Sequence, residues 1–261
     1  MTVAAVRTAL QGGSFNVSHA ASQPQPLRLR HALMVFATPR TLFSRVEDTG
    51  AYGWALVVLL GLVVLLGYAH VQTGLIDRDV DLQTETQLAQ LEEKQANLLD
   101  RVALRESMEG IRKQAVFTKV ITRLAVIVAA PVEMLASFLL ISSVFYAVVA
   151  LTGRKPEYHT LMSVCVYAGF VELAAIVLQL AMMVYYQTTN VDTSLQALGG
   201  DSLRFLGAID PFRIWFWVLV CLGLMTTHQL GRRSAIATCV LLGGVALGVR
   251  ITMIYLVSAG A

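Results

Sequence analysis

The sequence predicts an all-α integral membrane protein with about five transmembrane helices, an N-terminal amphipathic interfacial helix and a helical extracytoplasmic insertion between spans one and two. Three observations carry this expectation. Apolar residues make up 56% of the 261-residue chain and charged residues only 14%, with a mean hydropathy of +0.64, a balance foreign to water-soluble domains. The apolar residues gather in runs of the ~20 needed to cross a hydrocarbon core ~30 Å thick. The polar residues are gathered too, above all between positions 72 and 119.

Residues 1–30 read as a flexible cytoplasmic tail, polar and without periodicity through SQPQP. The opening MTVAAVRTALQGGSF lacks a compact apolar h-region, so the first span is expected to act as an uncleaved anchor. In LRLRHALMVFATPRTLFSRVEDTG, Thr38 can cap a helix and Pro39 can take its first position. Leu42, Phe43 and Val46 then share one face and Arg40, Ser44 and Arg45 the other. That pattern predicts a short amphipathic helix lying in the headgroup region.

A five-span domain is expected over 31–258. The first span runs from Trp54 to His70, with Tyr52, Trp54 and Tyr68 at its ends, where aromatic rings favour the interface. The insertion at 72–119 contains no proline and is rich in helix formers, with Glu109 and Lys113 at i,i+4. As one helix it would reach ~70 Å, so it either folds back near Gly110 or earlier, or projects as a stalk. Leu88, Leu91, Leu98, Val102 and Ile111 keep a loose heptad. The second span covers Leu124–Leu151, with Pro131 as a site of tilt or kink. A third covers Leu161–Tyr186, followed by a polar loop, Gln187–Asp210, with room for a short interfacial helix. Asp210 and Pro211 open the fourth, which ends near Leu230, and the fifth covers Ala235–Val257.

Orientation follows from positive charge in short loops. Arg7, Arg28, Arg30, Arg40 and Arg45 precede the first span, Arg154 and Lys155 follow the second, and Arg232 and Arg233 follow the fourth. The opposite short loop sets Arg204 and Arg213 against Asp192, Asp201 and Asp210. The N-terminus is therefore expected in the cytoplasm, with the C-terminus and the 72–119 insertion outside. The formal net charge of +3 sits in these turns, so it reads as a topology signal and not as a nucleic-acid surface.

Ionisable side chains at membrane depth need partners. Counted from the cytoplasmic ends, Glu172 lies ~18 Å deep, Arg250 ~22 Å and Glu133 ~28 Å. These three are expected to form an interhelical pair or triad that fixes how the second, third and fifth spans pack. The alternative is a proton- or ion-coupled transport path, for which only Gln179, His228 and Thr252 offer further polar groups. Gly244 and Gly248 make a small-xxx-small face, expected to pack inside the protein.

No catalytic, cofactor-binding or metal-ligating residues are indicated. Cys165, Cys221 and Cys239 lie in apolar runs, and His19, His31, His70, His159 and His228 have no ligand neighbours in sequence. Neither a phosphate loop nor a Gly-x-Ser-x-Gly elbow occurs, so an enzyme is not expected.

Three segments resemble a known family: FATPRTLFSRV, then LTGRKPEYHTLMSVCVYAGF, then FLGAIDPFRIWFWVLVCLGL followed by GRRSAIA. Over roughly residues 33 to 258 they are similar to the Yip (Ypt-interacting protein) domain family in its bacterial branch. The resemblance implies a five-span bundle with a cytoplasmic N-terminus and brings no agreed catalytic residues. Eukaryotic relatives are associated with small GTPases and vesicle traffic. Bacterial ones look like accessory subunits, beside ABC-type exporters and their periplasmic adaptors. The 72–119 insertion exceeds the family's usual pattern and points to a partner outside the membrane.

The expectation is a non-enzymatic scaffold or accessory subunit of the bacterial inner membrane, docking a partner through its helical arm. Its partners would be membrane lipid and other membrane or periplasmic subunits, with no nucleic acid. A small secondary transporter using Glu133, Glu172 and Arg250 is the alternative.

Overall fold

The computed structural model describes residues 29–49, 52–95, 101–153, 155–189, 191, 209–227 and 230–259. Helices α1 (Leu29–Ala37) and α2 (Pro39–Thr49) lead into α3 (Gly53–Gln72), α4 (Leu75–Gln95) and α5 (Arg101–Leu151). Then follow α6 (Tyr158–Tyr186), α7 (Pro211–Thr227) and α8 (Arg232–Ala259). Four stretches are long and apolar enough to cross a membrane: Gly53–Gln72, Leu104–Leu151, Tyr158–Tyr186 and Arg232–Met253. The protein is a multi-pass helical membrane protein. α7 is apolar, and its described part is 17 residues long, so the fourth span of the sequence reading is not among those four.

The first half of α6 is the centre of the bundle. Every residue from Thr160 to Val171 is buried, which a helix achieves only when neighbours surround it on all sides. α3, α5 and α7 supply most of that enclosure, and α1 and α2 the remainder. Tyr167, Phe138, Phe145, Phe216, Leu59 and Leu219 are among the large side chains fully withdrawn here. Lipid tails are as apolar as these residues, so the helices are held by close van der Waals fit more than by escape from water. Gly67 shows how close the fit is. A Cβ there would stand 2.9 Å from the backbone oxygen of Val126 on α5, so α3 and α5 approach backbone to backbone.

The helix-start reading of Pro39 is correct, and α2 begins there. The environment of its apolar face differs from the expected headgroups. Leu42, Phe43 and Val46 are fully buried because α2 packs on α7 and α6, and protein takes the place of lipid. The preceding residues form a separate helix, α1, which buries Ala32 and Val35 and leaves Leu33 and Phe36 exposed. Residues 29 and 30, read as tail, belong to α1. The remainder of the tail, residues 1–28, lies outside the described residues, as do residues 192–208, which hold most of the loop expected to carry a short interfacial helix.

α4 ends at Gln95 and α5 begins at Arg101, and the two pack side by side, so the 72–119 insertion is a helical hairpin and not a single stalk. Gly74, at φ +72°, makes the turn after α3, a left-handed position that suits a residue without Cβ. Thr73 Oγ1 donates to the His70 carbonyl at 2.7 Å and closes the same turn. α4 then runs antiparallel to the first part of α5. That part continues into the second span without a break, giving one 51-residue helix about 77 Å long. Pro131 lies inside it.

Gly244 and Gly248 do not pack inside the protein. Both are exposed, with nothing within 4 Å of the position a Cβ would take. α8 packs mainly on α7, and there the glycine in contact is Gly243, whose Cβ position is 3.4 Å from the Trp217 ring. The glycine spacing was legible, but its facing depended on the rotation of α8.

Replacing Gly67 by Val should cost about 1–3 kcal/mol, because an α5 backbone must yield. Gly61→Val, where nothing lies within 4 Å, should change stability by less than about 0.5 kcal/mol. Denaturant unfolding in mixed micelles measures both, and equal losses would contradict the close α3–α5 approach.

Candidate functional site

Two features stand apart from the apolar packing: a charge cluster within the bundle and the polar hairpin that leaves it. The cluster is built where α6 and α7 cross. Glu172 follows immediately after the enclosed half of α6, 14 residues from the helix start. Arg213 precedes the end of α7 by the same number, so both lie ~21 Å from the shared end of the bundle. The antiparallel run of α6 and α7 brings them together, and Arg213 Nη2 stands 3.9 Å from Glu172 Oε1. Asp210, Glu133 and Arg250 also act on Glu172 electrostatically. Among the described residues the ion pair is Glu172–Arg213, and no ion pair joins Glu133 or Arg250 to Glu172.

Arg213 is the member that sequence reasoning missed. It counted as a loop charge on the assumption that the fourth span crosses fully. Asp210 and Pro211 do open α7 as read, and Asp210 Oδ1 accepts a hydrogen bond from the Phe212 N–H at 2.9 Å. The signal was the shortness of the apolar run behind them, which keeps this helix start below the far ends of its neighbours.

Beside the cluster a cavity of about 750 Å³ opens between α7 and α8, lined by Asp210, Arg213, Trp217, Cys239, Arg232 and Arg250 among others. Deeper in the bundle, the Tyr167 hydroxyl is buried with no hydrogen-bond partner among the described residues. Among the same residues, no three His, Cys, Asp or Glu side chains are placed to hold a metal ion together.

The hairpin is held by ion pairs in antiparallel register. Arg123 Nε donates to Asp77 Oδ1 at 2.9 Å while its Nη2 meets Oδ2, a bidentate fork. One turn on, Lys119 Nζ lies 2.7 Å from Asp81 Oδ1. The Glu109–Lys113 pair read from spacing is present at 2.9 Å. Thr189 donates to Asp79 and ties the hairpin to the segment after α6. On α5, Val116 and Phe117 are 65% and 67% exposed, with Val120, Ile121 and Leu124 also open. Phe117, Val120, Ile121 and Leu124 fall at i, i+3, i+4 and i+7 and so share one face, with Val116 at its edge.

The Yip1 domain family model matches residues 33–253. The chain belongs to the Yip1 domain family. No curated protein and no solved structure matches it. The matched span takes in the enclosed half of α6, the Glu172–Arg213 pair and the hairpin, so this Yip1 domain carries the polar arm within its own boundaries.

Two outcomes follow from the geometry. If the Glu172–Arg213 pair supports packing, Arg213→Ala should destabilise more than the double change with Glu172→Gln. A thermal-unfolding cycle should then give a coupling of about 0.5–3 kcal/mol, and simple additivity would show that the two groups act separately. In the hairpin, the Arg123 fork holds the Asp77 carboxyl below the usual carboxylate range. A group depressed in the folded state stabilises above its unfolded value and loses that contribution as pH falls through its folded value. Spin labels at Glu85 and Gln114 should therefore move apart under strong acid, and Asp77→Asn should show part of that separation at neutral pH.

Proposed function

We propose that this Yip1-domain chain is a non-enzymatic membrane scaffold or accessory subunit of the bacterial inner membrane, which docks a partner protein through the α4–α5 hairpin. The observation that carries the reading is the exposed Val116–Phe117–Val120–Ile121 face. It lies just before the expected second span and is uncovered by any other part of the described chain. An apolar face of this kind, rimmed by paired charges, is a common form of helix-docking surface. The partner class that fits is a membrane or periplasmic subunit, such as an adaptor or permease of an ABC-type exporter.

The topology within this proposal has five spans, α7 serving as the fourth, with the N-terminus in the cytoplasm and the hairpin outside. Two contacts support it. Tyr52 Oη and His159 Nδ1, at the starts of α3 and α6, are 3.3 Å apart, and Val149 packs with Leu230 and Ala235 at the α7–α8 turn. The turns bearing Lys155 and Arg232–Arg233 therefore gather at one end of the bundle, where positive charge marks the cytoplasmic side. The transport alternative is weakened because the Glu172 carboxylate is already engaged by Arg213.

Deleting residues 84–109 should release a co-purifying subunit in gentle detergent while the spans stay inserted. Phe117→Gln with Ile121→Gln should weaken recovery of the same subunit without removing the arm. Full recovery by both variants would rule out the hairpin as the docking element. Proton-coupled flux in proteoliposomes that Glu172→Gln abolishes would favour the transporter instead.

A further inference from the structure

α8 packs mainly against α7, and between them runs the cavity of about 750 Å³, within the range of sites that hold small amphiphilic molecules. Its shape is a groove. Arg232 and Arg250 both line it and are 18 residues apart on one helix, about 27 Å, close to the ~30 Å thickness of a hydrocarbon core. Between them the walls are oily, with Met225, Leu222 and Val218 on α7 and Ile236, Val240 and Leu247 on α8.

The charge along this groove is unbalanced. Arg40, Arg213, Arg232 and Arg250 line it against the single carboxylate of Asp210. At the end near α6, Arg213 pairs with Glu172, and Asp210 and Arg250 line the groove with it, so two carboxylates stand against two guanidinium groups there. At the α7–α8 turn, Arg232 forms no ion pair among the described residues. A groove that is apolar along its length and uncompensated at its Arg232 end is complementary to an amphiphile with oily chains and one anionic head.

We infer that the α7–α8 groove holds one anionic phospholipid, with its phosphate on Arg232 and its acyl chains along the apolar walls towards Val218 and Leu247. Arginine suits the head because its planar guanidinium donates to two phosphate oxygens at once. Cationic pockets between transmembrane helices recognise anionic lipid heads in this way. The neighbouring Arg233 does not line the groove, so its charge serves as an internal control for general attraction to a negative membrane surface.

The test uses the full chain, purified in neutral detergent and reconstituted into nanodiscs of phosphatidylglycerol or phosphatidylcholine, with retained lipid counted by native mass spectrometry. One phosphatidylglycerol per chain is expected to survive, with phosphatidylcholine lost. Arg232→Ala should lower retention roughly fivefold, the effect of about one basic contact at a lipid head. Arg232→Lys should keep most of the retention, and Arg233→Ala should leave it unchanged. Val240→Trp should reduce it by filling the wall. If that variant fails to fold, the exposed Arg232 and Arg233 variants decide the matter alone. Equal retention of the two lipids, equal effects of Arg232→Ala and Arg233→Ala, or full displacement by inorganic phosphate would overturn the assignment.

Discussion

The enclosure of α6 from Thr160 to Val171 is the constraint on which the other helices depend. A helix with no free face must be met on every side, and each neighbour must fit it without help from water exclusion. That requirement explains the small residues at its contacts. Gly169 lies under Phe138 and Leu59, and Gly223 of α7 lies against Val164. It also explains why α2 is drawn onto α7 and α6: Leu42, Phe43 and Val46 complete a wall that the spans leave open. Where the enclosure stops, at Glu172, polar chemistry begins.

That boundary organises the protein into two regimes. Below it the bundle is dense, apolar and closed. Above it α6 becomes progressively exposed, α7 has already ended, and the hairpin is held by charged pairs that water and ions can weaken. Family membership covers both regimes. The surfaces left open among the described residues are an exposed apolar face on α5 and a groove between α7 and α8.

How much could be read from the sequence follows from what each signal encodes. Hydropathy runs located α3, the second half of α5, α6, α7 and α8, though not α1, and Pro39 and Asp210–Pro211 marked two helix starts, because length and capping are local properties. The helical character of 72–119 was legible for the same reason, and its Glu109–Lys113 pair was set by spacing alone. Facing was not legible. Gly244 and Gly248 touch no neighbouring helix while Gly243 meets Trp217, a rotation that no spacing rule specifies. Leu42, Phe43 and Val46 were grouped correctly, but an amphipathic face has the same pattern whether protein or lipid covers it. The partner of Glu172 was misplaced because Arg213 was assigned a depth from the loop it follows, when the shortness of α7 sets that depth.

The uninterrupted course of α5 has a mechanical consequence. The strand of the arm that pairs with α4 and the membrane segment that packs on α6 are one rod, with no loop or glycine turn between them. Within that helix Phe138 meets Gly169 of α6, and Pro131 lies between this contact and the arm. Val149, near the other end of the same helix, rests on Leu230 and Ala235, so a single helix joins the arm to the α7–α8 turn.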